Sequence, residues 1–118
     1  MLILTDAAIN DAAIFHPDPD FRTLLSRLLA GISCDGEFDP AELVRLVVIE
    51  PGDTLEAVNT DMGYTLTPDW EARDREGGWT ALTYILSDYG EGLIVLIPDR
   101  PDIDPAFLHL CSETPETR

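Results

Sequence analysis

The strongest pattern in the chain is a run of apolar residues at helical spacing. Phe21, Leu24, Leu25, Leu28, Leu29 and Ile32 recur at three- and four-residue steps, with Arg22, Ser26 and Arg27 between them. That spacing predicts an amphipathic helix with one face against a core. Asp18 or Asp20 is placed to cap its start, and Gly31 stands where a left-handed C-terminal residue is wanted. Ahead of it, His16-Pro17-Asp18-Pro19-Asp20 is a break, because each proline pushes the preceding residue out of helical geometry. Residues 5–14 read as a shorter, Ala-rich helix with Thr5 as its N-cap.

Further on the period changes. Leu43 to Glu50 is rich in Val and Ile and stops at Pro51-Gly52, which predicts a strand. Asp39-Pro40-Ala41-Glu42 is a good helix start, and one helical turn feeding a strand satisfies both signals. Thr54 caps a short helix from Leu55 to about Asp61, closed by Gly63. Tyr64 to Glu76 is polar and irregular, with room for a short edge strand near Leu66. Trp79–Ser87 and Leu93–Ile97 predict two strands joined by the turn Asp88-Tyr89-Gly90-Glu91-Gly92. Both are apolar on both faces, so this hairpin is expected centrally, covered on each side. Asp104-Pro105 opens a last helix through Cys111. The expected fold is α+β: a small, mostly antiparallel sheet with a central C-terminal hairpin (79–87, 93–97) and helices packed on it. Residues 1–112 are expected to form one globular domain, and 113–118 a frayed polar tail.

Charge changes this picture of an ordinary small domain. The chain carries 23 Asp plus Glu against 7 basic residues, a formal net charge of -16, and every basic residue is Arg. The acids recur along the whole length, so a folded core wears an anionic coat. Such a surface repels phosphates and acidic lipids and attracts basic protein patches. Without Lys there is neither a Walker lysine nor a Schiff base. Direct nucleic-acid binding is disfavoured, because counterion release works in the wrong direction. The start of the chain lacks the basic stretch and long apolar run of a secretory signal, and no apolar segment is long enough to span a bilayer. A cytoplasmic location without membrane contact is the expectation, and Cys34 and Cys111 are then expected as free, buried thiols.

Four stretches carry candidate chemistry. In the first, Gly31 to Glu42, Gly36 falls at the sharp-turn position of a calcium loop, Phe38 at the apolar position and Glu42 at the bidentate position, with Ser33 and Asp35 between. The stretch resembles the calcium loop of an EF-hand, and also the Asp-Gly-Glu loop of the tellurite-resistance TerB-like helical domains. The resemblance implies a divalent cation held by Asp35 and Glu42. Gly31 replaces the first Asp of that loop, and the segment after Glu42 is β-branched; the competing reading is a tight turn relieved by Gly36. In the second, His16, Asp18 and Asp20 alternate in an extended segment and could converge on a metal, or simply cap the next helix. The third, Asp99, Asp102 and Asp104, offers three carboxylates, one of them a helix cap. In the fourth, Trp70 and Trp79 bracket a mixed-charge stretch. Trp70, Arg73, Asp74, Arg75 and Glu76 would form a contact site if the indole is exposed, since Trp and Arg dominate interface energetics.

Pro51-Gly52-Asp53-Thr54-Leu55 is similar to the Gly-Asp-Thr-Leu stretch of LysM glycan-binding modules, although a turn followed by a Thr-capped helix serves any fold. Together with Gly-Gly-Trp, Leu-Ser-Asp-Tyr-Gly-Glu-Gly and Ile-Pro-Asp-Arg-Pro-Asp-Ile-Asp-Pro, it resembles a group of small, acidic, uncharacterised bacterial proteins. That resemblance implies no activity. The function expected from these observations is a non-enzymatic interaction or regulatory protein whose acidic face binds a basic surface of a partner protein. A nucleic-acid mimic is the sharper form. The alternatives are a carboxylate metal-binding domain, and a small hydrolase using His16 or His109 with neighbouring acids. No catalytic residue and no cofactor other than a divalent cation is indicated, and the oligomeric state is not specified.

Overall fold

The computed structural model describes residues 1–32, 40–85 and 92–112. Five strands form one sheet: β1 (Leu2–Thr5), β2 (Val44–Val48), β3 (Ala72–Glu76), β4 (Trp79–Ile85) and β5 (Gly92–Pro98). Four helices accompany it: α1 (Ala7–Phe15), α2 (Pro19–Ala30), α3 (Leu55–Met62) and α4 (Pro105–Ser112). The strand order is β1-β2-β5-β4-β3. β2 and β5 are parallel, and every other neighbouring pair is antiparallel. This is the expected α+β architecture, a mostly antiparallel sheet with helices packed on it.

The apolar pattern explains the layering. All seven residues of β5 are buried, because β5 lies in the middle of the sheet and helices cover both of its faces. Leu93, Val95 and Ile97 face a cluster with Val58 and Met62 of α3 and Phe107 and Leu110 of α4. The alternate residues Ile94 and Leu96 face Ile9 of α1 and Phe21, Leu24, Leu25 and Leu29 of α2. A two-residue period on the strand thus meets a helical period on each side.

Helix α2 runs as its spacing predicts. The Asp18 side chain caps it by accepting from the Asp20 N–H at 2.9 Å, with Pro19 at the first position. Gly31 closes it with φ −81°, a right-handed conformation and not the expected left-handed one. The 3-10 turn Pro40–Leu43 feeds β2 directly, as the two competing signals require. Thr54 caps α3, and Gly63 ends it at φ 68°. Three expectations are corrected. Thr5 ends strand β1 instead of capping a helix; Asp6, at φ 52°, turns the chain into α1 without a side-chain cap. Leu66 is no strand: it is a buried loop residue whose N–H donates to Asn59 Oδ1 at 3.0 Å. The edge strand of that region is β3, the charged Ala-Arg-Asp-Arg-Glu segment, paired along its length with β4. Residues 86–91, which hold the end of the expected strand 79–87 and most of the expected turn 88–92, and the tail 113–118 lie outside the described residues.

Candidate interaction surface

The mixed-charge stretch becomes an edge strand, so its side chains divide between two faces. Arg73 pairs across β4 with Leu82, whereas Asp74 pairs with Ala81. On the α2 side, Arg27 spans the strand. Its Nη2 meets Asp74 Oδ1 at 2.8 Å, its Nη1 meets Glu76 Oε2 at 3.0 Å, and Nη2 also donates to the Arg75 carbonyl at 2.9 Å. The guanidinium holds the Asp74 carboxyl below its ordinary range. On the α4 side, the Arg73 guanidinium lies 5.4 Å from the centre of the Trp70 ring and donates to the Cys111 carbonyl. Trp70 is half-buried, and its Nε1 donates to the Leu110 carbonyl at 3.1 Å. Trp70 and Arg73 therefore fasten β3 to the end of α4, and Asp74 and Glu76 fasten it to α2. Arg75 reaches Asp99 at 3.4 Å. Arg73, Arg75, Thr80, Asp99, Leu108 and Cys111 line a cavity of about 450 Å³ beside α4.

The candidate metal ligands are distributed differently from the expectation of convergence. Asp35 lies outside the described residues. Glu42 is exposed on the 3-10 turn, and strand β2 follows where an EF-hand would continue as helix. Asp18 spends both oxygens inside the fold, Oδ1 on the Asp20 N–H and Oδ2 on Trp79 Nε1 at 2.8 Å. The indole bond, more than the backbone bonds, holds its carboxyl below the usual value. Asp99 pairs with Arg75, and Asp102 with Arg100 at 3.3 Å. Asp104 accepts the N–H groups of Ala106 and Leu55, both at 3.1 Å, and so serves the starts of α4 and α3 together. Among the described residues, no three His, Cys, Asp or Glu side chains converge as a metal site.

His16 Nδ1 accepts the Asp18 N–H at 3.1 Å, so the neutral ring carries its proton on Nε2, and the Asp18 carboxylate serves Trp79 instead of the imidazole. Cys111 is a free, half-buried thiol pushed up to about 11 by burial, which keeps it from being a ready nucleophile. His109 is exposed on α4.

Sequence reasoning missed a second surface, at the opposite edge of the sheet. Strand β1 contains no charged residue and lies at the edge of the sheet. Leu2 and Ile3 are 47% and 44% exposed, and Ile14 and Phe15 at the end of α1 are 63% and 75% exposed. Beyond the carboxyl ends of the parallel strands β2 and β5 there is a cavity of about 340 Å³. Leu2, His16, Glu50, Trp79, Asp99 and Arg100 are among its walls. The His16 ring stacks on Phe21 with centroids 3.8 Å apart, and Trp79 stands edge-on to both. The sequence signal was there, an uncharged Leu-Ile-Leu-Thr in an acidic chain. Assigning the helix from Thr5 hid it.

No family model, no curated protein and no solved structure matches the chain. Among the described residues, no helix is long and apolar enough to cross a membrane.

Proposed function

We propose that the chain is a non-enzymatic acidic interaction protein that binds a basic surface of a partner protein. The observation that supports this reading is how the few cations are used. Arg27, Arg75, Arg100 and the Met1 amino group each pair with carboxylates of this same chain. Arg22 and Arg73 donate to backbone carbonyls. Meanwhile Asp6, Asp11, Glu42, Glu56, Asp61 and Glu71 are exposed, and no cation lies within ion-pair distance of them among the described residues. Among the described residues Arg45 alone of the arginines has neither kind of partner, while negative charge on α1, α3 and the sheet edge faces water. A basic partner gains from that field in both encounter rate and selectivity.

Nucleic-acid mimicry is the sharper form of the same reading, with spaced carboxylates in the place of phosphates. The test is crosslinked capture from the native host at low and high salt, beside an unrelated control protein of equal negative charge. The expected result is a discrete set of basic proteins enriched over the control and lost as salt rises. Displacement of duplex DNA from the captured protein marks the mimic. If the equally acidic control captures the same set, the acid serves solubility alone and the proposal fails.

A further inference from the structure

We infer that the β1 edge is the docking site for an extended segment of that basic partner, which adds to the sheet as a sixth strand beside β1. The inference rests on the reading above that the partner is basic, and it names where and how the contact is made.

The geometry is that of an open edge. Among the described residues, the backbone of Leu2–Thr5 bonds only to β2. In an antiparallel pair, alternate residues turn their N–H and C=O groups away from the neighbour, so β1 offers free donors and acceptors to an incoming strand. The two edges of the sheet differ sharply. β3 carries four charged side chains in five residues and is tied down by Arg27 and Arg73, the usual protection of an edge. β1 has no such protection, and among the described residues four of the six exposed large apolar side chains lie on it or on the end of α1.

Charge decides among the possible occupants. The unpaired acids by the apolar strip are Asp6, which follows β1, and Asp11 on α1; Arg45 stands opposite Thr5, and Glu50 and Asp53 pair with the Met1 amino group. A second copy would bring another net -16 against the first and would be opposed at moderate salt. A segment alternating apolar and basic residues fits both features. Its apolar side chains would cover Leu2 and Phe15. A basic side chain could reach into the cavity beside Leu2, sharing Glu50 with the Met1 amino group and Asp99 with Arg75, while Arg100 is held by Asp102. Strand addition supplies affinity through the backbone and specificity through such side-chain positions.

The test uses the full chain, labelled for NMR, with two synthetic probes: an alternating Val-Arg peptide and an all-Arg peptide of equal length. The alternating peptide is expected to shift the Leu2–Thr5 amides saturably and to slow exchange of the outward-facing ones. The Ile14→Ser, Phe15→Ser double variant changes only exposed side chains, so it should keep its fold. It is expected to lose about tenfold in affinity for the alternating peptide and none for the all-Arg peptide. Saturable binding elsewhere, or equal effects of both peptides at every site, overturns the inference and leaves the basic-partner reading intact. Concentration-dependent self-association through β1 also overturns it, in favour of a second copy as occupant. If neither peptide binds at low salt, both readings fall.

Discussion

At the scale of single residues, the side chain that joins most parts of the molecule is Asp18. It caps α2 through the Asp20 N–H, holds Trp79 at the head of β4, and gives its own N–H to His16. Asp18→Ala removes the cap, worth about 1 kcal/mol, and leaves the indole N–H short of an acceptor, worth about 1 kcal/mol more. Urea unfolding at neutral pH should therefore show a loss of about 2 kcal/mol. Asp18→Asn leaves one oxygen for two donors, so one of the two bonds survives and it should lose about half of that. The comparison also carries a pH sign. The Asp18 carboxyl is held below its ordinary 3.8, chiefly by the indole bond. A carboxyl depressed in the native state stabilises it above that ordinary value, and the contribution is lost as pH falls through the native value. The gap between the parent and Asp18→Asn should be full at neutral pH and close below about pH 4. A gap that widens in acid would contradict the assigned hydrogen bonds.

At the scale of elements, the turn between β3 and β4 is fitted against the start of α2. Gly77 has φ 57°, and a Cβ there would stand 2.1 Å from Asp20 Oδ2 and 2.9 Å from Asp20 Cβ. Gly77→Ala must both strain the backbone, by about 1–2 kcal/mol, and displace the Asp20 side chain. Calorimetric melting should show the larger part of the loss relieved in an Asp20→Ala background, a coupling that independent sites would not give. This contact also explains what could be read beforehand. Elements with their own strong period, α2 and the central strands, were legible because burial on one or both faces writes the pattern into the sequence. β3 was not, since Arg-Asp-Arg-Glu has weak strand preference and becomes a strand only because β4 offers a full ladder of backbone partners. β1 was lost for the opposite reason: four residues are too few to outweigh the helical composition that follows. The site suffered accordingly. Trp70 to Glu76 was recognisable as mixed charge, but its division between two sheet faces depended on a strand that was not seen. The second cavity gathers Leu2, His16, Glu50, Trp79 and Asp99, and only the strand order brings those together.

At the scale of the whole molecule, two electrostatic effects compete, and their sizes decide the outcome. The ion pairs of Arg27, Arg75 and Arg100 are exposed, the kind that contribute little and weaken further in salt. Against them stands mutual repulsion among the carboxylates of a chain with net charge -16. The molecule measures 39 × 33 × 26 Å. At about 0.01 M salt the screening length is about 30 Å, so nearly every carboxylate feels every other; at about 1 M it shrinks to about 3 Å, and only neighbours interact. Unfolding relieves the repulsion, so screening it should favour the native state more than the loss of a few surface pairs harms it. The thermal midpoint is therefore expected to rise between those two concentrations of sodium chloride, by roughly 3–6 °C if the net gain is about 1 kcal/mol. Chloride is the right anion for the measurement, because sulfate would add its own stabilisation of apolar burial. A midpoint that falls with salt would mean that the ion pairs outweigh the repulsion. The acidic coat would then be locally balanced and would have little field left with which to draw a basic partner.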